Sequence, residues 1–179
     1  MATERTADSE AHRLVEAVVS RFGGAIEASS VFRGQAEVQV GASDIIGVLS
    51  GLRDDPELAF DRLADITCVD YMSFPEKKPG RFGVVYILHS LKSGRRLRVK
   101  VYLPADRPEI ASATGLWKAA EWAEREVYDM YGVVFIGHPD LRRILMPDEY
   151  DGHPLRKDYP LRGRGERDAF PVYRADDGG

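Results

Sequence analysis

One stretch in the C-terminal third of the chain concentrates the residue types that carry out chemistry. Residues 123–145 read AEREVYDMYGVVFIGHPDLRRIL. Acids, arginines and a histidine follow one another closely there: Glu124, Arg125, Glu126, Asp129, His138, Arg142 and Arg143. Carboxylates and an imidazole at short spacing can bind a metal ion or transfer protons, and the same charges can instead dock a partner protein. The stretch is therefore either an active site or a docking surface.

Metal binding is the weaker of these interpretations. Glu126 and Asp129 are three residues apart on a predicted helix, a spacing that can bring two carboxylates to one ion. However, the sequence has no Glu-x-x-His pair there, and the positive charge of Arg125 would oppose a cation. His138 and His153 each precede a proline in an irregular region, and no His-x-x-x-His pair occurs. We predict no metal ligand and no catalytic residue in this stretch.

Composition narrows the classes of function further. The chain has 179 residues, of which 44% are apolar, enough for one domain with a core. Cys68 is the only cysteine, so a disulfide framework and thiolate sites for zinc or iron–sulfur clusters are excluded. Phosphate-binding, flavin-binding and nucleophile motifs are missing as well. The start is charged, and no apolar run approaches the ~20 residues of a spanning helix. We expect a soluble, cytoplasmic chain that binds no cofactor itself.

The net charge of −4 hides one basic segment. Residues 81–107 hold seven lysines and arginines against Asp106 alone. In the strand predicted there, Arg96, Arg98 and Lys100 alternate with apolar residues, so their side chains lie on one face of a sheet. A basic sheet face can bind RNA, but stacking aromatic residues are missing from this strand and the whole chain is acidic. An acidic partner surface or an anionic membrane is the favoured target.

The helix that carries the acidic stretch has apolar residues on more than one side. A stripe at helical spacing predicts the side that packs on the core: Leu116, Ala119, Ala120, Ala123, Val127 and Met130. Arg125 and Asp129 fall on the opposite side, where exposed pairs four residues apart would contribute only ~0.2–0.5 kcal/mol each. Trp117, Trp122 and Tyr128 also lie off the stripe, which indicates that something covers them. We expect a helix buried on two sides, with its charges paired across a boundary.

The remaining patterns predict the elements that position this helix. A helix over 9–22 comes first, then strands over 25–33 and 35–40, and a helix capped by Ser43 or Asp44 that runs through Leu52. A buried strand over 63–72 precedes a hairpin of 82–90 and 95–103 with Ser93 and Gly94 in its turn. A helix near 113–131 and a short strand over 133–137 complete an α+β domain over residues 1–137, with a mostly antiparallel sheet flanked by helices.

Residues 138–179 predict an extended, irregular arm. Five prolines, at 139, 147, 154, 160 and 171, break every long helix or central strand, yet apolar residues recur every few positions. Such a segment has too little contiguous apolar surface to fold back as a domain, so a partner must order it. We expect fast amide exchange beyond about residue 146 in the isolated chain, and a thermal transition nearly unchanged by truncation at Met146.

The same residues resemble a known family, the C-type (30 kDa-type) subunit of respiratory complex I, NADH:quinone oxidoreductase. The likeness lies in Glu124-Arg125-Glu126, Asp129-Met130-Tyr131, His138, Arg142 and Ile144-Leu145, and it continues through MPDEYDGHPLRKDYPL at 146–161. It is dense over about 60–174. A motif of this length with so many charged residues is highly specific.

The resemblance implies a non-redox assembly subunit of the peripheral arm, at the cytoplasmic face of the cell membrane. It would dock on the large D-type subunit and neighbouring peripheral-arm subunits, near the iron–sulfur chain and quinone site. FMN and iron–sulfur clusters would lie in partner subunits and carry electrons from NADH to quinone, coupled to proton translocation. The predicted docking residues are Glu124, Arg125, Glu126, Asp129, His138, Arg142, Arg143, His153, Leu155, Arg156, Lys157, Asp158 and Tyr159.

Other interpretations remain open beside this one. A stand-alone RNA-binding module or a small metal-dependent enzyme is the alternative from a different class. Within the family, a subunit of a ferredoxin- or F420-linked dehydrogenase or of a membrane-bound hydrogenase is the alternative. The electron donor and the quinone type do not follow from the sequence.

Overall fold

A computed structural model describes residues 2–165, with side chains from residue 7 onward. In this part of the chain there are three helices: α1 (Ala2–Phe22), α2 (Ile45–Asp54) and α3 (Ala120–Tyr131). The first five strands are β1 (Ile26–Phe32), β2 (Gln35–Val40), β3 (Arg62–Asp70), β4 (Phe82–His89) and β5 (Arg96–Leu103). Two short strands follow, β6 (Glu109–Ala111) and β7 (Val134–Ile136). None of the helices within residues 2–165 has the length and apolar character to cross a membrane.

The five longer strands form one sheet in the order β1-β2-β5-β4-β3. Neighbours run antiparallel except β2 and β5, which are parallel because the chain crosses through α2, β3 and β4 between them. The predicted α+β class and mostly antiparallel sheet are confirmed. The β4–β5 hairpin is also confirmed, with Gly94 at φ +70° in its turn. The short strand β6 was not predicted because three residues are too few for a pattern; it pairs in parallel with β7.

The helices cover one face of the sheet and leave the other face open. Every second residue of β2, β4 and β5 points into a core shared with Leu14 and Val18 of α1, Val48 and Leu49 of α2, and Val127 of α3. The alternate residues of β5 face outward, as its exposed–buried alternation shows. The basic residues that the sequence placed on one face therefore lie on the open face.

Two predicted helix boundaries were wrong. Helix α1 begins before residue 9, at Ala2. Helix α3 begins at Ala120 rather than near 113, because residues 113–119 form turns in which the N–H groups of Leu116 and Trp117 both donate to the Ala113 carbonyl. Gly132 then ends α3 at φ +73°, and its N–H donates to the Tyr128 carbonyl, as in a left-handed C-cap.

Candidate docking site on the signature helix

Asp129 is the centre of the charged stretch and holds the chain that follows it. The side chain is completely buried. Its Oδ2 accepts the backbone N–H groups of Ile144, Leu145 and Met146 at 3.0, 2.8 and 2.9 Å, and its Oδ1 accepts Arg143 Nη1 at 2.7 Å. Burial alone would raise the pKa of Asp129, but these hydrogen bonds outweigh it and hold the pKa below its ordinary value. A negative charge is therefore stable here without any metal ion.

The two arginines of this region satisfy backbone carbonyls of the same chain. Arg125 donates from Nε to the Arg142 carbonyl at 3.2 Å and from Nη2 to the Arg143 carbonyl at 3.0 Å, and its guanidinium lies 5.0 Å from the Trp122 ring centre. Arg143 donates from Nη2 to the carbonyls of Tyr150 and Gly152. Each arginine thus joins α3 to residues after 138.

Glu124 and His138 fix the chain on the other side of α3. Glu124 is completely buried; it accepts the Ser112 hydroxyl and the Ala113 N–H, both at 2.6 Å. Burial raises the pKa of Glu124, and these hydrogen bonds offset only part of that increase. His138 Nδ1 accepts the Asp140 N–H, so its Nε2 carries the proton donated to the Glu121 carbonyl at 3.0 Å. Both side chains serve internal contacts.

A second buried carboxylate, Asp70 at the end of β3, holds residues 156–158. Asp70 Oδ2 accepts the Lys157 N–H at 2.9 Å and Arg81 Nη2 at 2.8 Å. Arg81 also contacts Asp158 at 2.9 Å. Burial works against ionisation of Asp70, yet the hydrogen bonds from Arg81 and the backbone lower its pKa overall. The sheet edge and the GHPLRKD run are therefore joined through one arginine.

The turn after α3 accommodates His153 and Arg156. His153 Nδ1 hydrogen-bonds to the Asp129 carbonyl at 2.9 Å, and Arg156 Nε donates to the Tyr131 carbonyl at 2.5 Å. A Cβ on Gly132 would overlap both His153 Nε2 and Arg156 Nη2. The glycine is therefore required for its left-handed backbone and also for the close approach of these two side chains.

The other predicted docking residues face outward. Glu126, Arg142, Leu155, Lys157 and Asp158 are exposed, and Arg142 pairs with Asp140 at 2.8 Å. Tyr159 is half-buried and shares a hydroxyl–hydroxyl hydrogen bond of 2.6 Å with Tyr150. The thirteen residues thus divide into a group that braces the chain internally and a group that is available to a partner.

These contacts correct two expectations about the site. Helix α3 is buried on two sides, as predicted, but Arg125 and Asp129 do not form an exposed pair; both are buried under residues 142–146 of the same chain. The C-terminal segment, residues 138–165, contains neither helix nor strand, yet it folds back on the domain. Polar contacts to Asp129 and Asp70 provide what apolar area could not, and Leu141 packs against the core. Residues 166–179 of the predicted arm lie outside the described part.

Sequence reasoning missed three residues that the site depends on: Asp70, Arg81 and Ser112. Asp70 ends an apolar strand and Arg81 opens the next, a pair of opposite charges flanking two strands that could have been noticed. Ser112 had no signal of its own. Among the described residues no group of three His, Cys, Asp or Glu side chains could hold a metal ion.

Comparison with known proteins agrees with this arrangement. The family described as "Respiratory-chain NADH dehydrogenase, 30 Kd subunit" matches residues 38–165, which include every element from β2 to the end of the described chain. The chain belongs to this family. The resemblance to the C-type subunit of complex I is thereby confirmed.

Curated relatives from this 30 Kd family share the same length of chain, and all three below are C-type subunits of NADH-quinone oxidoreductase. The protein of Geobacter metallireducens is 45% identical over 157 residues, covering 88% of this chain and 94% of the relative. That of Citrifermentans bemidjiense is 46% identical over 155 residues, covering 87% and 92%. That of Brucella ovis is 48% identical over 143 residues, covering 80% and 68%.

Solved structures share the fold. The trypsin-resistant fragment (1-134) of Nqo5 is 37% identical and superposes with a TM-score of 0.61, covering 73% of this chain and 98% of that one. A chain of the membrane-bound sulfane sulfur reductase, an archaeal respiratory membrane complex, is 24% identical with a TM-score of 0.73 over 93% of this chain and 95% of that one. The second likeness concerns the fold alone.

Proposed function

We propose that this 30 Kd-type protein is a non-redox assembly subunit in the peripheral arm of an NADH:quinone oxidoreductase. It docks on the large D-type subunit near the iron–sulfur chain and quinone site, at the cytoplasmic face of the membrane. FMN and the iron–sulfur clusters belong to partner subunits, which pass electrons from NADH to quinone with coupled proton translocation. This chain supplies a surface and contributes no reacting group.

The observation that carries the proposal is a hydrogen-bonded segment whose leucines face outward. Leu145 and Leu155 keep 62% and 47% of their surface exposed, although the backbone N–H of each is bonded to Asp129 and to the Met130 carbonyl respectively. Trp122 on α3 is 60% exposed as well. Large apolar side chains held outward on a fixed backbone are typical of a protein interface.

The internal contacts make this surface inexpensive to use. A segment that orders only on binding loses conformational entropy at that step, which weakens association. Here Asp129 and Asp70 have already fixed residues 144–146 and 157, so a partner gains apolar burial without ordering that backbone. Full burial of one leucine contributes about 1.5–3 kcal/mol. Two such leucines can therefore decide whether association is stable.

The related Nqo5 structure gives independent support. It is the trypsin-resistant fragment of that protein, residues 1-134, and it matches 73% of the present chain. A core that resists protease fits a domain in which only the part beyond it depends on the assembly. For this chain we infer the same division, with the C-terminal segment as the docking element.

The test is co-purification with the large D-type subunit. The double variant Leu145→Asp/Leu155→Asp removes two exposed apolar groups and leaves the backbone hydrogen bonds of both residues possible. We expect the variant to fold normally, with an unchanged thermal transition, and to lose most of its association with the large partner. Leu91→Asp is the matched control, because Leu91 is 65% exposed in the β4–β5 turn, away from α3.

Two results would refute this assignment. Normal co-purification of the double variant would show that these leucines do not face the partner. An equal loss in Leu91→Asp would show that any added charge on the surface impairs assembly.

A further inference from the structure

The open face of the sheet carries a row of basic side chains at one end. Register places Arg62 of β3 opposite His89 of β4, and His89 opposite Arg96 of β5. These three residues, the basic row, are direct neighbours across three strands, and Arg98 follows two positions along β5 on the same face. The predicted basic strand is thus one part of a patch that the fold assembles from three strands.

The basic row has no acidic partner within the described chain. Arg62, Arg96 and Arg98 make no ion pair there, whereas Lys100 on the same strand binds Glu37 at 2.7 Å. Like charges directly opposite each other on a sheet are destabilising. A folded chain that retains such a row without neutralising it has a surface suited to an external anion.

The row also borders a recess of a useful size. A concavity of about 200 Å³ lies beside it, lined by Ile87, His89, Arg96 and Arg98 with Gln35 and Ala36 of β2. Arginine donors and a glutamine amide line its polar side, and an isoleucine lines its floor. Carboxylate side chains of a peptide match this mixture, since they combine an acceptor pair with a short apolar stem.

We propose that the basic row binds an acidic segment of another protein subunit. A long polyanion fits less well, because the patch is short and carboxylates flank it: Asp65 lies opposite Ile87, and Glu37 lies opposite Arg98. The net charge of −4 also repels nucleic acid and anionic lipid at long range. The inference rests on the proposed function only in taking the segment's owner to be a member of the same assembly.

His89 gives this binding a pH signature. Partial burial and the neighbouring Arg96 and Arg62 lower its pKa below the ordinary value, so it is neutral at pH 7 in the free chain. The other charged groups near it are Asp65 on β3 and Asp61, whose carboxylate accepts the Leu91 N–H at 3.0 Å. A bound carboxylate favours the protonated imidazole. Binding therefore takes up a proton and strengthens as pH falls from 7 to 5.5.

The test measures binding of a fluorescent hexaglutamate peptide to the isolated full-length chain at low ionic strength. We expect saturable binding that weakens with salt, and about a tenfold weaker affinity in Arg62→Gln/Arg96→Gln, from the range known for exposed charge pairs. Lys77→Gln/Lys118→Gln is the control, since it removes the same charge at two exposed lysines outside the sheet. Its affinity should equal that of the wild type. His89→Gln should abolish the pH dependence.

Foldedness is checked separately in the same variants. Because the double arginine variant relieves repulsion between like charges, its thermal midpoint should equal or exceed that of the wild type. The proposal is overturned if the peptide does not bind, or if both double variants lose affinity equally. It is also overturned if single-stranded RNA of equal charge, or vesicles containing anionic lipid, bind more tightly than the peptide. Because the isolated chain is used, these outcomes do not depend on docking through Leu145 and Leu155.

Discussion

Replacing Asp129 by Asn isolates the contact that holds the C-terminal segment. The carboxylate accepts four hydrogen bonds, three from the backbone of residues 144–146 and one from Arg143. Asparagine has nearly the same shape but only one accepting oxygen, and it carries no charge. If that oxygen keeps the backbone donors, the amide nitrogen faces the Arg143 guanidinium, donor against donor.

The expected loss follows from this geometry. Hydrogen bonds to charged groups contribute about 1.5–3 kcal/mol each, and removing one partner of a buried ion pair costs about 3–5 kcal/mol. We take about 3–4 kcal/mol as the reduction in the free energy of local opening of residues 143–146. At 1.4 kcal/mol per tenfold, amide exchange at Ile144, Leu145 and Met146 should accelerate by about two to three orders of magnitude.

The assay is residue-resolved hydrogen exchange at constant pH. Asp140→Asn is the matched control, because Asp140 lies in the same segment but pairs with Arg142 on the surface, where such a pair contributes about 0–1 kcal/mol. Its effect on the same three amides should be small. Unchanged exchange in the Asp129 variant, or equal acceleration in both variants, would refute the assignment of Asp129 as the holding group.

Acid should release the same segment in the wild type. Because the folded-state pKa of Asp129 lies below the ordinary value of 3.8, its contribution to stability is fully present above that value. It is lost as pH falls through the folded-state pKa. Protection of residues 144–146, corrected for the intrinsic exchange rate, should therefore decline below about pH 4 in the wild type and stay flat in the Asn variant.

Two further predictions concern the ends of α3. Glu124 has a raised pKa, so its contribution is greatest below the ordinary value of 4.5 and declines as pH rises through the folded-state pKa. Urea unfolding should show the stability of Glu124→Gln gaining on the wild type as pH rises from 4.5, and a pH-independent difference would contradict this. Gly132→Ala should lower the thermal midpoint by about 2–8 °C, from ~1–2 kcal/mol of left-handed strain plus the overlap with His153 and Arg156. Gly115→Ala, where an added Cβ meets nothing, should leave the midpoint unchanged.

Local patterns in the sequence were sufficient to predict the elements of the sheet. The strands over 35–40 and 96–103 alternate apolar and polar residues, and the Ser93-Gly94 turn specifies their hairpin neighbour, because these signals depend only on residues close in the chain. The lone cysteine and the missing nucleotide motifs likewise bounded the chemistry. The charged stretch of α3 was recognised as special by composition alone, and its motif led to the family.

What each charge of α3 contacts was decided by the tertiary structure. From helical spacing, Asp129 appeared to be an exposed partner of Arg125; in the fold it is buried beneath residues 144–146, which approach it from later in the chain. Asp70 and Lys157 are 87 residues apart in sequence and 2.9 Å apart in space, and the basic row joins three strands in the same way. Periodicity reports only the side of an element on which a residue lies. Its neighbour depends on how distant segments return, and that is settled by the packing of the whole chain.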